Sequence, residues 1–145
     1  MKPKVLLRIA SILILFHDIG HTIGHSGWRH SPDPAKQEVI NQMTGSKFPF
    51  MGAVHSMGDY YEGYGYAASL ALLLIAVLLW LMSDASPQSR HLVRKLLIVT
   101  TVILFAWGII ELIYFFPFAA SFTLLAALLN TISFFRMNKE SQVLK

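Results

Sequence analysis

His17, His21 and His25 stand four residues apart in the run FHDIGHTIGH, inside the first hydrophobic stretch of the chain. Residues four apart share one face of a helix, so the three imidazoles are expected on one side of it. Ionisable groups at membrane depth are costly, about 2.5 to 3.5 kcal/mol for a central Asp or Lys, and are kept there for function or for a specific partner. A second set follows downstream. His55, Gly58, Asp59, Glu62, Tyr66 and Ser69 fall on one stripe at spacings of three and four. Glu111 shares a face with Trp107, Gly108 and Tyr114, and Thr123, Asn130 and Ser133 make a milder polar stripe.

Imidazole with carboxylate suits zinc, iron, copper or manganese. His17, His21 and His25 have the spacing that lets two rings hold one ion, with Asp59 as a further ligand. Glu62, Glu111 and His55 are the candidate catalytic groups, as proton donors or bases. Without a metal, a buried Glu beside a His is an acid–base pair, because desolvation raises the acid and lowers the base. Haem b is a third option, disfavoured by so many acids around an apolar macrocycle. The plainer reading is a hydrogen-bonded polar core that fixes helix registry. Asp18, beside His17, is expected to pair with a nearby histidine. Tyr60, Tyr61, Tyr64, Trp28 and Tyr114 fit an interfacial aromatic belt. The chain holds no GxSxG, phosphate loop, dinucleotide fingerprint or HExxH.

The elements that must position these groups are helices. Of 145 residues, 54% are hydrophobic and only 14% charged, against about 25% charged in soluble domains. Four apolar stretches, near residues 5–27, 58–82, 92–114 and 118–135, each approach the ~20 residues of a bilayer crossing. The expected fold is therefore all-α: a single domain, a four-helix transmembrane bundle. Gly20 and Gly24 form a GxxxG pair, which marks the histidine face as one that another helix approaches closely.

Nine of the twelve basic residues (Lys2, Lys4, Arg8, Arg90, Arg94, Lys95, Arg136, Lys139, Lys145) fall on one side of this arrangement. The positive-inside rule makes that side, and both termini, cytoplasmic and puts the loop at 28–57 outside. The net charge of +4 follows from this asymmetry and calls for no nucleic acid. The expected surroundings are a lipid bilayer, in a bacterial cytoplasmic membrane, with a homo-oligomer or a membrane-complex partner, since four thin helices shelter little interior. The absence of cysteine removes disulfides, thiolate metal sites, iron–sulfur clusters and covalently attached c-type haem. The opening MKPKVLLRIASILILF reads as an uncleaved first span, for no small-x-small cleavage site follows.

In the loop, Ser31-Pro32-Asp33-Pro34 signals a turn and a helix start, with about two helical turns over Ala35–Met43. Gly45 and then Phe48-Pro49-Phe50 end them, and the loop is either a lid or a connector. Pro87 and Ser89 are placed to start the third long helix. With the first helix running outward and the second inward, the imidazoles and carboxylates are expected at one level, as one site in the outer half of the bundle.

FHDIGHTIGH followed by FPFMGAVHSMGDYYEGYG is similar to a family of short bacterial four-span membrane proteins of uncharacterised function. The resemblance covers the first two spans and the loop between them. It implies a four-helix integral membrane fold and carries no activity. Small multidrug transporters share the size and span count, but their membrane acid is a Glu in a different setting. Three functions stay open: a metal or acid–base site acting on a lipophilic substrate, a proton-coupled transporter of a small solute, or a structural subunit with a packing-only polar core.

Overall fold

The computed structural model describes residues 2–143. In chain order the elements are α1 (Pro3–Ser26), α2 (Pro34–Gly45), β1 (Lys47–Phe50), β2 (Ala53–Ser56), α3 (Met57–Ser83), a single 3-10 turn at Pro87–Ser89, α4 (Arg90–Tyr114) and α5 (Pro117–Val143). Four of these helices are long and apolar enough to cross a membrane. Their surfaces agree with that reading: Phe16, Leu70, Val102, Ile113 and Phe118 are all largely exposed, as lipid-facing side chains must be in an isolated chain. Lys145, one of the residues counted for orientation, lies outside the described residues.

Local chemistry sets the helix ends. Pro34 opens α2, with the Asp33 side chain accepting from the Ala35 N–H at 2.9 Å. Pro117 likewise opens α5, where a missing N–H costs no helical hydrogen bond. At the head of α3, Ser56 and Asp59 cap one another. The Asp59 carboxylate accepts from the Ser56 N–H at 2.9 Å, and the Ser56 hydroxyl from the Asp59 N–H at 3.1 Å. Ser89 precedes α4, as its position in the sequence implies, but its side chain makes no cap; it meets Ser86 instead.

The chain divides into two compact units. The first is built from the chain up to His17 and from Leu72 onward. Its core follows helical spacing: Leu7, Ala10 and Ile14 on α1; Leu72, Ile75, Ala76 and Leu79 on α3; Val93, Leu97 and Leu104 on α4; Ala126 and Ala127 on α5. Helices α4 and α5, joined by only Phe115 and Phe116, pack along one another. Gly108 makes this possible, because a Cβ there would stand 2.6 Å from Leu124 Cδ2. At one end of the unit Asp84 accepts from Lys4 at 2.6 Å and from Arg8 at 3.0 Å, and the Arg8 guanidinium lies over Trp80. The Lys4 hydrogen bond, helped by Arg8, holds the Asp84 carboxyl below its ordinary value.

The second unit, Asp18–Ala71, holds the end of α1, α2, the two strands and the start of α3. The strands form an antiparallel hairpin with Phe48 opposite His55 and Phe50 opposite Ala53. It was not expected from the sequence. Pro49 lies inside β1, and the Met51-Gly52 turn lacks the Asn or Asp that marks such hairpins.

Candidate functional site

The stripe that buries Leu7, Ala10 and Ile14 on α1 reaches His17 at its next turn. On α4 the stripe Val93, Leu97, Thr100, Leu104, Gly108 reaches Glu111, and on α5 Ala120 is followed by Thr123. Three helices thus bring polar side chains to positions that the same periodicity would otherwise give to leucine. His17 Nε2 lies 3.2 Å from Glu111 Oε1, with the two side chains only 7% and 5% exposed. His17 Nδ1 lies 3.0 Å from Thr123 Oγ1, and Phe122 stands 6.4 Å from the imidazole, centroid to centroid. Gly108, one turn before Glu111, lets α5 approach so that Thr123 reaches the ring.

A hydroxyl can both give and accept, and this matters for the pair. With imidazolium facing carboxylate, Nδ1–H donates to Thr123. With neutral imidazole facing a carboxylic acid, Nδ1–H still donates. With the Nε2–H tautomer facing carboxylate, Nδ1 accepts from the Thr123 hydroxyl. All three arrangements leave both ring nitrogens bonded. The first two carry no net charge, which a low-dielectric interior favours.

Farther along α5, Asn130 and Ser133 are also fully buried. The Ser133 hydroxyl donates to the Pro3 carbonyl at 3.3 Å. Neither amide atom of Asn130 meets a hydrogen-bond partner among the described residues. On α1, Ser11 donates to the Ala76 carbonyl at 2.7 Å.

In the second unit the other two histidines do different work. His21 Nε2 reaches the Gly65 carbonyl and His25 Nε2 the Glu62 carbonyl, each at 3.1 Å. A carbonyl only accepts, so Nε2 carries the hydrogen in both rings. The rings are parallel, with centroids 5.8 Å apart. Gly65 is required here, because a Cβ would overlap the His25 ring. Trp28 packs on Tyr61, and Gly58 leaves room for Trp28 and Thr44. Asp18 accepts from Thr22 one turn later, not from a histidine, and Thr22 also bonds Ser69. Among the described residues nothing comes within 4 Å of a Cβ placed at Gly20 or Gly24, and the close approaches within the chain fall at Gly58, Gly65 and Gly108.

Glu62 is clamped by Arg29, whose guanidinium also lies 3.7 Å from Asp59. The hydrogen bond to Glu62 raises Arg29 above its ordinary value against partial desolvation. Arg29 is one of the basic residues in the 28–57 loop and is not among the candidate site residues of the sequence. The signal for it was its place four residues after His25, continuing the 17, 21, 25 spacing. His55 sits a loose 3.8 Å from Asp59 and packs on Tyr60. Asp59, a candidate ligand by its stripe, serves as the helix cap described above. The structure therefore joins His17 to Glu111 in one unit, and His21, His25, His55, Asp59 and Glu62 lie in the other. Among the described residues, no three His, Cys, Asp or Glu side chains gather in a way that could hold one metal ion. Comparison with protein-family models, curated proteins and solved structures found no match.

Proposed function

We propose that this is an integral membrane protein whose His17–Glu111 pair is an acid–base centre for a lipophilic substrate. The observation that carries the reading is a buried imidazole 3.2 Å from a buried carboxyl, with a hydroxyl on the second ring nitrogen. Such a pair passes a proton between Nε2 and Oε1 without breaking its other hydrogen bond, and Thr123 turns its hydroxyl when the proton leaves the pair. Exposed Phe16, next to His17, and exposed Ile113, two residues after Glu111, make the surface at this level apolar, which suits lipid-soluble molecules. The metal version of the reading has less support, because the ligands it needs are engaged elsewhere: Nε2 of His21 and of His25 on backbone carbonyls, and Asp59 on Ser56.

The test compares membranes from cells expressing the protein, His17→Ala or Glu111→Gln at equal levels, by mass spectrometry of their lipids and lipid-soluble metabolites. The expected result is a species altered by the parent protein and by neither variant. Identical profiles from all three, with folded parent protein present, would sink the reading.

One observation favours a second reading, proton-coupled export of a small solute. Asn130, wholly buried and with no hydrogen-bond partner for either amide atom among the described residues, lies two helical turns from Thr123 and one from Ser133. It extends the polar positions of α5 past the dyad. In proteoliposomes under a pH gradient, Asn130→Leu should then abolish proton entry that the parent protein supports; equal entry counts against transport.

A further inference from the structure

The tip of the β1–β2 hairpin presents a feature that neither packing nor backbone preference explains. Met51 and Gly52 both have positive φ, 47° and 87°. This two-residue turn favours Asn, Asp and Gly, and a left-handed conformation is strained for a methionine. Met51 recovers nothing from packing, since it is 92% exposed. Its neighbours Phe50 and Val54 are 58% and 60% exposed. An isolated surface hydrophobe is ordinary; an apolar knob held out by a strained turn is not.

The hairpin is tied to the head of α3. Ser56 ends β2 and Met57 begins α3 with no residue between. Phe48 and His55, opposite one another in the ladder, both pack on Tyr60 in the first turns of α3, at 6.0 and 5.9 Å. Exposed Met57, Tyr61 and Tyr64 follow on one face of α3. Lys47 stands at the start of β1, and Lys36 on α2 adds a second cation. An apolar tip with aromatic residues at its base, on an element that also carries Lys47, matches the boundary between acyl chains and headgroups.

We propose that Phe50, Met51 and Val54 insert into the interfacial layer of the bilayer, so that the hairpin is a second membrane contact beside the spans. The occupant of this surface is lipid. The proposal rests on α3 being a membrane span and is independent of the chemistry assigned to His17 and Glu111.

The chain has no cysteine, so single-cysteine variants carry a nitroxide at one known position. Full-length Met51→Cys, Val54→Cys, Ala35→Cys and Leu70→Cys are spin-labelled and reconstituted in vesicles of phosphatidylcholine and phosphatidylglycerol. Collision with oxygen is compared with collision with a water-soluble nickel complex. Labels at 51 and 54 should favour oxygen severalfold over the label at 35, and the label at 70 should favour it most. Labels at 51 and 54 as open to nickel as that at 35, with 70 still protected, overturn the hairpin contact alone. A label at 70 open to nickel overturns the membrane-span reading with it. Spin–spin broadening at 51 that disappears on dilution with unlabelled protein identifies a second copy as the occupant and also overturns the proposal.

Discussion

Removing one member of the His17–Glu111 pair should cost far more than removing both. At 3.2 Å and an effective dielectric near 20, a full ion pair is worth about 5 kcal/mol, which bounds its Coulomb part from above. Desolvation of the two groups offsets much of this, so the net worth of the intact pair is small. A single deletion is different. His17→Leu takes the imidazole away from the buried Glu111 carboxyl, and loss of one partner of a buried pair costs about 3 to 5 kcal/mol. Glu111→Leu should do the same to His17. The double variant His17→Leu with Glu111→Leu replaces both by groups that fit the leucine positions of their stripes, and should lie within about 1 to 2 kcal/mol of the parent. The coupling energy of the cycle is therefore at least about 4 kcal/mol. Unfolding in mixed micelles, driven by an increasing fraction of denaturing detergent and followed by circular dichroism, measures it. Single variants that cost under 1 kcal/mol and add in the double variant would refute the pairing, because contacting residues in one network do not behave independently.

Other consequences can be measured on the same preparation. Asp84 sits below its ordinary value, so the folded protein binds this proton less readily than the unfolded chain. Its stabilising contribution is therefore present above about pH 4 and lost as the pH falls further; Asp84→Asn should remove that part of the acid dependence, lowering stability at neutral pH and leaving it little changed in acid. Gly65→Ala should destabilise by about 1 to 3 kcal/mol because the new Cβ overlaps the His25 ring. Gly24→Ala, in open space, should instead stabilise by a few tenths to about 1 kcal/mol through helix propensity, and equal effects at the two glycines would contradict their assignments. Ser56→Ala should cost about 1 kcal/mol through loss of the α3 cap, read as a lower unfolding midpoint.

The long helices were legible because bilayer-length apolar runs leave few alternatives, and Pro34 and Pro117 mark two starts in plain view. The polar stripes were legible too, since a period of 3.6 puts Glu111 in line with Gly108 and Thr123 in line with Asn130. Periodicity names a face but not the neighbour that covers it. For that reason the spacing of Gly20 and Gly24 does not show that no helix of this chain covers them, whereas Gly65 lies beneath an imidazole. It also gave no hint that His21 and His25 bond backbone carbonyls, because a carbonyl leaves no mark in the residue pattern. Asp59 had a legible local explanation in the Ser56-x-x-Asp59 spacing, but its alignment with Glu62 drew it toward a ligand role. The hairpin escaped because its strands are four residues each and its turn uses methionine where sequence rules look for Asn or Asp.

The short connection between α4 and α5 has a bearing on how the protein is made. Glu111 and Thr123 are near one another along the chain, so their two helices come together as soon as both have emerged. His17 enters from 106 residues before Thr123. The acid and the alcohol thus belong to one local pair of helices, and the imidazole comes to them from a distant part of the chain. The Glu111 carboxyl therefore gains its imidazole only through a contact made across most of the chain, and that contact ties α1 to the α4–α5 pair.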